Sequence, residues 1–218
     1  MKIAVIGLGQ FGRAVSRRLA RAGMEVIAVD QNRDLVDDMK HEVSLAVSLD
    51  ATDEKDLRSQ GIDKVDVFIA AIGVNFEANV LTALLAKEFG IPRIIGRAMN
   101  PLHERILKAI GVTEVVLPEE EAAERVYQKL AFPSLRVYFE LIEGFTIAEI
   151  DVPHELRGKT IAQANLRKRY GVNLIAIKRR IDGKMSVDAV PSPDFKLLEG
   201  DVLAVAGEDA AIEKLVTA

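Results

Sequence analysis

The sequence predicts an α/β fold, a doubly wound parallel sheet with helices on both faces, followed by a small α+β domain. Three observations carry this reading. Short apolar runs alternate with segments of helical period over residues 1 to about 117. The first run passes directly into Gly7-Leu8-Gly9-Gln10-Phe11-Gly12, and the second ends on an acid, Asp30. Beyond Pro133 the pattern changes, and strand-like segments outnumber helical ones.

The first strand, Lys2-Ile3-Ala4-Val5-Ile6, is apolar enough to be buried on both faces, as a parallel strand must be. Residues 13–22 follow as a helix, with Val15, Leu19 and Ala22 at helical spacing and Gly23 at its end. A second strand is predicted over 25–30, a helix over 35–40, a strand over 45–47, and a helix over 54–60 that stops at Gly61. Strand four is 67–70. A longer helix, 76–89, ends at Gly90; a fifth strand, 93–97, a helix, 102–110, and a sixth strand, 114–117, complete the alternation. Pro118 starts a further helix, 119–130, with Pro suited to a first helical position and three glutamates complementing the dipole. The boundary is placed at Pro133, giving domains 1–132 and 133–218. In the second, strands are predicted over 137–142, 146–152, 174–180 and 202–206, one basic helix over 161–170, and a last helix over 210–216.

The glycine run has a physical reading at each position. Gly7 permits a tight turn, Gly9 lets backbone approach a pyrophosphate, and Gly12 lets the helix pack closely on the strand. An anion would sit on the helix N-terminus, where free N–H groups and the positive dipole end favour it. Asp30 would accept hydrogen bonds from ribose hydroxyls. Strand, glycines, helix and acid together make a Rossmann-like nucleotide site the expectation, against a domain that keeps its glycines for packing alone.

Composition narrows the rest. Among 218 residues, 49% are hydrophobic and 28% charged, which provides a core and no sign of disorder. The net charge of −4 argues against general polyanion binding, so no nucleic-acid partner is expected. Cysteine is absent, excluding disulfides, thiolate metal sites and a cysteine nucleophile. No apolar run approaches the ~20 residues that span a bilayer. The chain opens on a usable strand rather than a targeting segment, so a cytoplasmic protein with no direct membrane insertion is expected.

Catalytic chemistry is hard to find. His41 and His103 fall at helix ends and His154 beside Pro153, in no metal-binding spacing, and they read as surface or capping residues. Neither a Tyr-x-x-x-Lys arrangement nor a Ser/His/Asp elbow occurs. The densest positive stretch, Arg167-Lys168-Arg169 with Lys178-Arg179-Arg180 and Lys184, reads either as a solvated face or as a site for a phosphate-bearing ligand or an acidic partner. Glu119-Glu120-Glu121 reads as dipole-complementing carboxylates or as a cation site beside a nucleotide phosphate.

Ala4-Val5-Ile6-Gly7-Leu8-Gly9-Gln10-Phe11-Gly12, Val29-Asp30, Asp50-Ala51-Thr52, Ala71-Ile72-Gly73, Arg97-Ala98 and Val116-Leu117-Pro118-Glu119 together resemble the RCK (KTN) family, regulatory subunits and domains of potassium channels and transporters. The likeness is to its KtrA- and TrkA-type members and covers essentially the whole chain. It implies an RCK N-terminal domain followed by an RCK C-terminal domain. It further implies that Gly7, Gly9 and Gly12 with the backbone of Gln10 and Phe11 hold phosphates, that Asp30 and Asn32 hold ribose, and that Asp50 and Ala51 border adenine. Gly73 would line the phosphate side and Arg97 would supply charge to it. Glu119 matches a position that binds a divalent or monovalent cation near the nucleotide. The ligand would be ATP or ADP, or else NAD or NADH. Many KtrA-like members carry Arg where this chain has Gln10, and losing a guanidinium weakens recognition of a γ-phosphate.

In some members the second module binds cyclic di-AMP between two subunits. The matching residues are Ile161, Asn165, Arg167, Asn173, Leu174 and Pro191, with Asn165 standing where other members have Asp. A dimerising module without a ligand remains the alternative. The resemblance implies a non-enzymatic, nucleotide-sensing gating subunit whose dimers assemble into an octameric ring against a KtrB- or TrkH-like membrane potassium transporter. The alternatives are a small NAD(P)-dependent oxidoreductase, which shares the first domain but needs an acid or base in the second, and a DNA-binding repressor, which needs a helix-turn-helix module.

Overall fold

The computed structural model describes the backbone of residues 1–218 and all side chains except those of Val137 and Tyr138. Contacts divide the chain into two compact units, Met1–Ala122 and Ala123–Ala218.

The first unit alternates strand and helix: β1 (Lys2–Ile6), α1 (Gln10–Arg21), β2 (Glu25–Asp30), α2 (Arg33–Asp37), β3 (Leu45–Ser48), α3 (Glu54–Ser59), β4 (Val67–Ala70), α4 (Phe76–Glu88), β5 (Arg93–Arg97), α5 (Pro101–Ala109), β6 (Glu114–Val116) and the start of α6 (Pro118–Ala131). All six strands are parallel, in the order β3-β2-β1-β4-β5-β6. That order reverses between β1 and β4, and the carboxyl ends there form the crevice in which open α/β sheets bind ligands.

Period-two alternation divides the core. Ala4, Ile6, Ile27, Val29, Phe68, Ala70 and Ile94 face one layer with Leu57, Ala83, Ala86 and Leu107 from α3, α4 and α5. Ile3, Val5, Val26, Val67 and Ile69 face the other, against Phe11, Val15 and Leu19 of α1. Both faces of the sheet are therefore covered, which is why its central strands carry no polar residue beyond Lys2 at the start of β1. The second helix is shorter and earlier than the 35–40 expected, because Asn32 caps it by accepting the Asp34 N–H.

The second unit is a five-stranded antiparallel sheet, β10 (Lys184–Asp188)-β9 (Asn173–Ile181)-β11 (Val202–Glu208)-β8 (Phe145–Asp151)-β7 (Leu135–Ile142). Helix α9 (Asp209–Val216) packs on it through Ile212 and Leu215. Two expectations need correction here. The helix expected over 161–170 is two short ones, α7 (Ile161–Ala164) and α8 (Leu166–Tyr170), broken where Asn165 takes the left-handed conformation at φ 44, ψ 49. Asn tolerates that region better than most side-chain-bearing residues. Strand β10 was not anticipated: Asp182 and Gly183, both at positive φ, form the turn that pairs it with β9.

Candidate functional site

Four helices of the first unit start under a polar side chain. Asn32, Asp53, Asn75 and Asn100 accept hydrogen bonds from N–H groups in the first turns of α2, α3, α4 and α5, and each first turn also carries an acid. Helix α1 differs in both respects. Its N-cap is Gly9, which has no side chain, and its first turn holds no acid. The positive end of α1, at the mouth of the β1–β4 crevice, is thus left for an external anion.

The glycines that build this end are each constrained differently. Gly7 has φ +97, and a Cβ there would lie 2.9 Å from the backbone nitrogen of Ile72. A Cβ on Gly12 would lie 1.8 Å from the carbonyl oxygen of Gly7, so no other residue lets α1 approach β1 this closely. Nothing lies within 4 Å of a Cβ built on Gly9, which faces the open space a ligand would fill.

Asp30, at the end of β2, braces the same loop. Its carboxylate accepts the Leu8 N–H at 2.6 Å and the Asn32 N–H at 2.9 Å, while the Gly7 N–H donates to the Val29 carbonyl at 2.8 Å. One carboxylate therefore orders the glycine turn and remains at the rim. Asn32 caps α2 nearby. Past β3, Asp50 accepts from both the backbone N–H of Thr52 at 2.9 Å and its hydroxyl at 2.7 Å. The Thr52 N–H, then its hydroxyl, hold the Asp50 carboxyl below the usual carboxylate range. Ala51 is buried in the core beside it.

Across the crevice, Arg97 at the end of β5 donates to Glu119 at 2.5 Å, and its guanidinium lies 5.9 Å from the Phe11 ring centroid. The same guanidinium covers Gly73, where a Cβ would meet Nη1 at 2.4 Å. Arg97 has only 13% of its side chain exposed but Glu119 has 58%, so the pair is open to solvent on the carboxylate side. Its Nε is buried without a partner. The rim thus brings together Gly7, Gly9, Gln10, Phe11, Gly12, Asp30 and Asn32 at one end and Gly73, Arg97 and Glu119 at the other. No group of three or more potential metal-ligating side chains occurs among the described residues, and the Glu119 carboxylate is held by Arg97.

In the second unit, Ile161, Asn165, Arg167, Asn173 and Leu174 line one open hollow of about 260 Å³ with Ala162, Leu166 and Val172. Pro191, in the stretch after β10, does not line it. Three of the seven basic residues in the cluster are engaged: Arg169 pairs with Glu155, Lys178 with Glu149, and Arg179 with the buried Asp201. Asp201, through its hydrogen bonds, raises the Arg179 pKa further. His103 is half-buried, its ring stacked on Phe76 at 3.5 Å and its Nδ1 buried.

Sequence reasoning passed over one polar residue at the rim, Asn79. It is fully buried in α4, accepts from the Ile72 N–H and donates to the Arg97 carbonyl. The signal was a carboxamide at a core-facing position between Ala78 and Val80.

A family model described as the TrkA-N domain matches residues 3–118, and one described as the TrkA-C domain matches residues 145–217. The Ktr system potassium uptake protein C of Bacillus subtilis is 35% identical over 204 residues, covering 92% of this chain and 92% of that protein. Protein A of the same system and organism is 35% identical over 213 residues, covering 98% and 94%. Among solved structures, the GsuK RCK domain superposes with a TM-score of 0.57 at 26% identity, covering 99% of this chain. This chain spans 46% of the length of that structure. The NAD(P)-binding domain of an exopolyphosphatase-related protein from Archaeoglobus fulgidus superposes with a TM-score of 0.52 at 26% identity, covering 59% of this chain and 96% of that one.

Proposed function

The chain belongs to the family built from a TrkA-N domain followed by a TrkA-C domain, and with that as premise we propose that it is the nucleotide-sensing, non-enzymatic regulatory subunit of a Ktr- or Trk-type potassium uptake system. The observation that carries the nucleotide half is the N-terminus of α1, which lacks both the side-chain cap and the first-turn acid that α2 to α5 possess. The kinship with potassium uptake proteins over nearly the whole chain supports the other half.

The ligand is an adenine nucleotide: ATP or ADP, or NAD or NADH. Its phosphates lie on the N–H groups of Gln10 and Phe11 past Gly7, Gly9 and Gly12, its ribose on Asp30 and Asn32, and its adenine along Asp50 and Ala51. Arg97, beside Gly73, now satisfies Glu119. A phosphate that draws Arg97 away frees the Glu119 carboxylate, which then holds a cation together with phosphate oxygens. Nucleotides that differ in how they engage Arg97 and Glu119 favour different arrangements of the assembly, and can shift it only by their difference in affinity. Gln10 supplies no cation to a γ-phosphate, so the discrimination between ATP and ADP falls to Arg97.

The domain boundary is drawn after α6, giving 1–132 and 133–218, although contacts divide the chain within that helix, after Ala122. Helix α6 buries none of its residues and exposes Val126, Tyr127 and Leu130, an apolar face suited to a second copy. Dimers build an octameric ring on the cytoplasmic face of a membrane potassium transporter of the KtrB or TrkH type. Among the described residues no helix is long and apolar enough to cross a membrane, and the contact proposed here is through that partner. The hollow of the second unit takes cyclic di-AMP through Ile161, Asn165, Arg167, Asn173 and Leu174; Pro191 lies outside its lining.

Potassium flux into liposomes carrying a Ktr-type membrane subunit, with and without this chain, tests the proposal. Flux that responds to the chain and changes between ADP and ATP, or between NAD and NADH, is expected. Flux indifferent to the chain under every nucleotide would overturn it.

A further inference from the structure

Asn79 has no exposed surface, and both ends of its carboxamide are engaged. Nδ2 donates to the Arg97 carbonyl at 3.0 Å, and Oδ1 accepts from the Ile72 N–H at 3.1 Å. Reversing the amide would set donor against donor and carbonyl against carbonyl, so its orientation is dictated by its partners. Both partners lie beyond the last pair of the β4–β5 ladder, Ala70↔Gly96, where no bond of that ladder ties one to the other, although Arg97 still pairs with Val116 of β6. The Ile72 peptide is the surface on which Gly7 rests. Arg97 carries the guanidinium that covers Gly73 and holds Glu119.

We propose that Asn79 is a positioning residue for the anionic ligand, its carboxamide setting the spacing between the glycine loop and Arg97 so that phosphates meet both together. This rests on the nucleotide reading of the rim. The side chain touches neither phosphate nor ribose; it acts through the Ile72 peptide and the Arg97 backbone. An amide suits the task because it is at once donor and acceptor and carries no charge to repel the ligand.

Asn79→Asp tests this through a pH profile. As a carboxylate the new side chain still accepts from Ile72 but turns a second acceptor toward the Arg97 carbonyl; once protonated it regains the donor. Burial favours the protonated form, so the change falls in an accessible range. Arg97 and Glu119 at the rim, and His103 of α5, which stacks on Phe76 at the start of α4, are common to parent and variant, and the parent's profile is the control. Calorimetric titration of the full chain with ADP and NAD is expected to show affinity about tenfold weaker than the parent at pH 8, approaching it at pH 5.5. Thr82→Val, which removes a hydroxyl bonded only to the Asn79 backbone carbonyl, should lower the melting temperature and leave affinity unchanged. If Asn79→Asp does not fold, Asn79→Ser takes its place and should bind several-fold more weakly than the parent.

Parent-like affinity at pH 8 in a folded variant, or Asn79→Asp weakness that ignores pH, would overturn the proposal. So would failure of both variants to fold, which would make the residue purely structural. A parent chain that binds neither ADP nor NAD would instead remove the nucleotide reading, and this inference with it.

Discussion

The rim of the parallel sheet is shaped by backbone packed against backbone, Gly12 on the Gly7 carbonyl and Gly7 on the Ile72 peptide, whereas the hollow of the second unit is shaped by a short loop and one left-handed residue, Asn165. In the first case a methyl group has nowhere to go. In the second, the tie is a set of hydrogen bonds: Asp201 accepts from Nε of Arg179 at 2.6 Å and from the Leu198 N–H at 2.8 Å, and Arg179 also donates to the Lys196 carbonyl. That loop in turn carries the start of α7, through Phe195 and Ile161. Steric constraint fails abruptly and polar constraint by degrees, so the two sites should respond differently to equally small changes.

Gly12→Ala would break the comparison most sharply. It should destabilise the first unit by about 3 kcal/mol or more and abolish nucleotide binding, read by thermal melting and titration. Asp201→Ala should cost about 3 kcal/mol by leaving Arg179 and the Leu198 N–H without their partner, with the loss confined to the second unit's hydrogen-exchange protection. Asn165→Val, forced to positive φ, should cost about 1–2 kcal/mol, while Asn165→Gly should be neutral or slightly stabilising in the same denaturation assay.

Gly9→Ala sharpens the comparison instead of breaking it. The methyl enters open space at negative φ, so stability should fall by only about 0.5 kcal/mol, yet nucleotide affinity should drop because the ligand needs that space. The smallest effect concerns Asp50. Its folded carboxyl titrates below its unfolded value because the Thr52 N–H and hydroxyl bind the charged form. The stability it adds is therefore present above the unfolded pKa, about 3.9, and is lost as pH falls through the folded one. Asp50→Asn should lower the neutral plateau of a stability-versus-pH curve slightly and flatten its acid limb, so that parent and variant converge at low pH.

These contrasts also explain what could be read in advance. The glycine run, the acid ending β2 and the alternation of apolar strands are local signals with steric causes, and the six-stranded sheet follows from them. The break at Asn165 depends on a φ that the basic, helix-favouring stretch Arg167-Lys168-Arg169 conceals. The Asp182-Gly183 turn was passed over because the strand beyond it, exposed along its whole length, offers no buried face to mark it. Asn79 was hidden for a different reason. Its partners lie 7 and 18 residues away on two strands, and only the folded sheet brings them to one carboxamide.

Calorimetric titration of the full chain with ATP, ADP, NAD and NADH, run in parallel on Gly9→Ala, tests the central claim that the uncapped end of α1 is a nucleotide site. The account predicts micromolar binding of at least one of the four by the parent, and at least about tenfold weaker binding by a Gly9→Ala chain that melts within a few degrees of it. Binding of none of them, or equal binding by both chains, would contradict it.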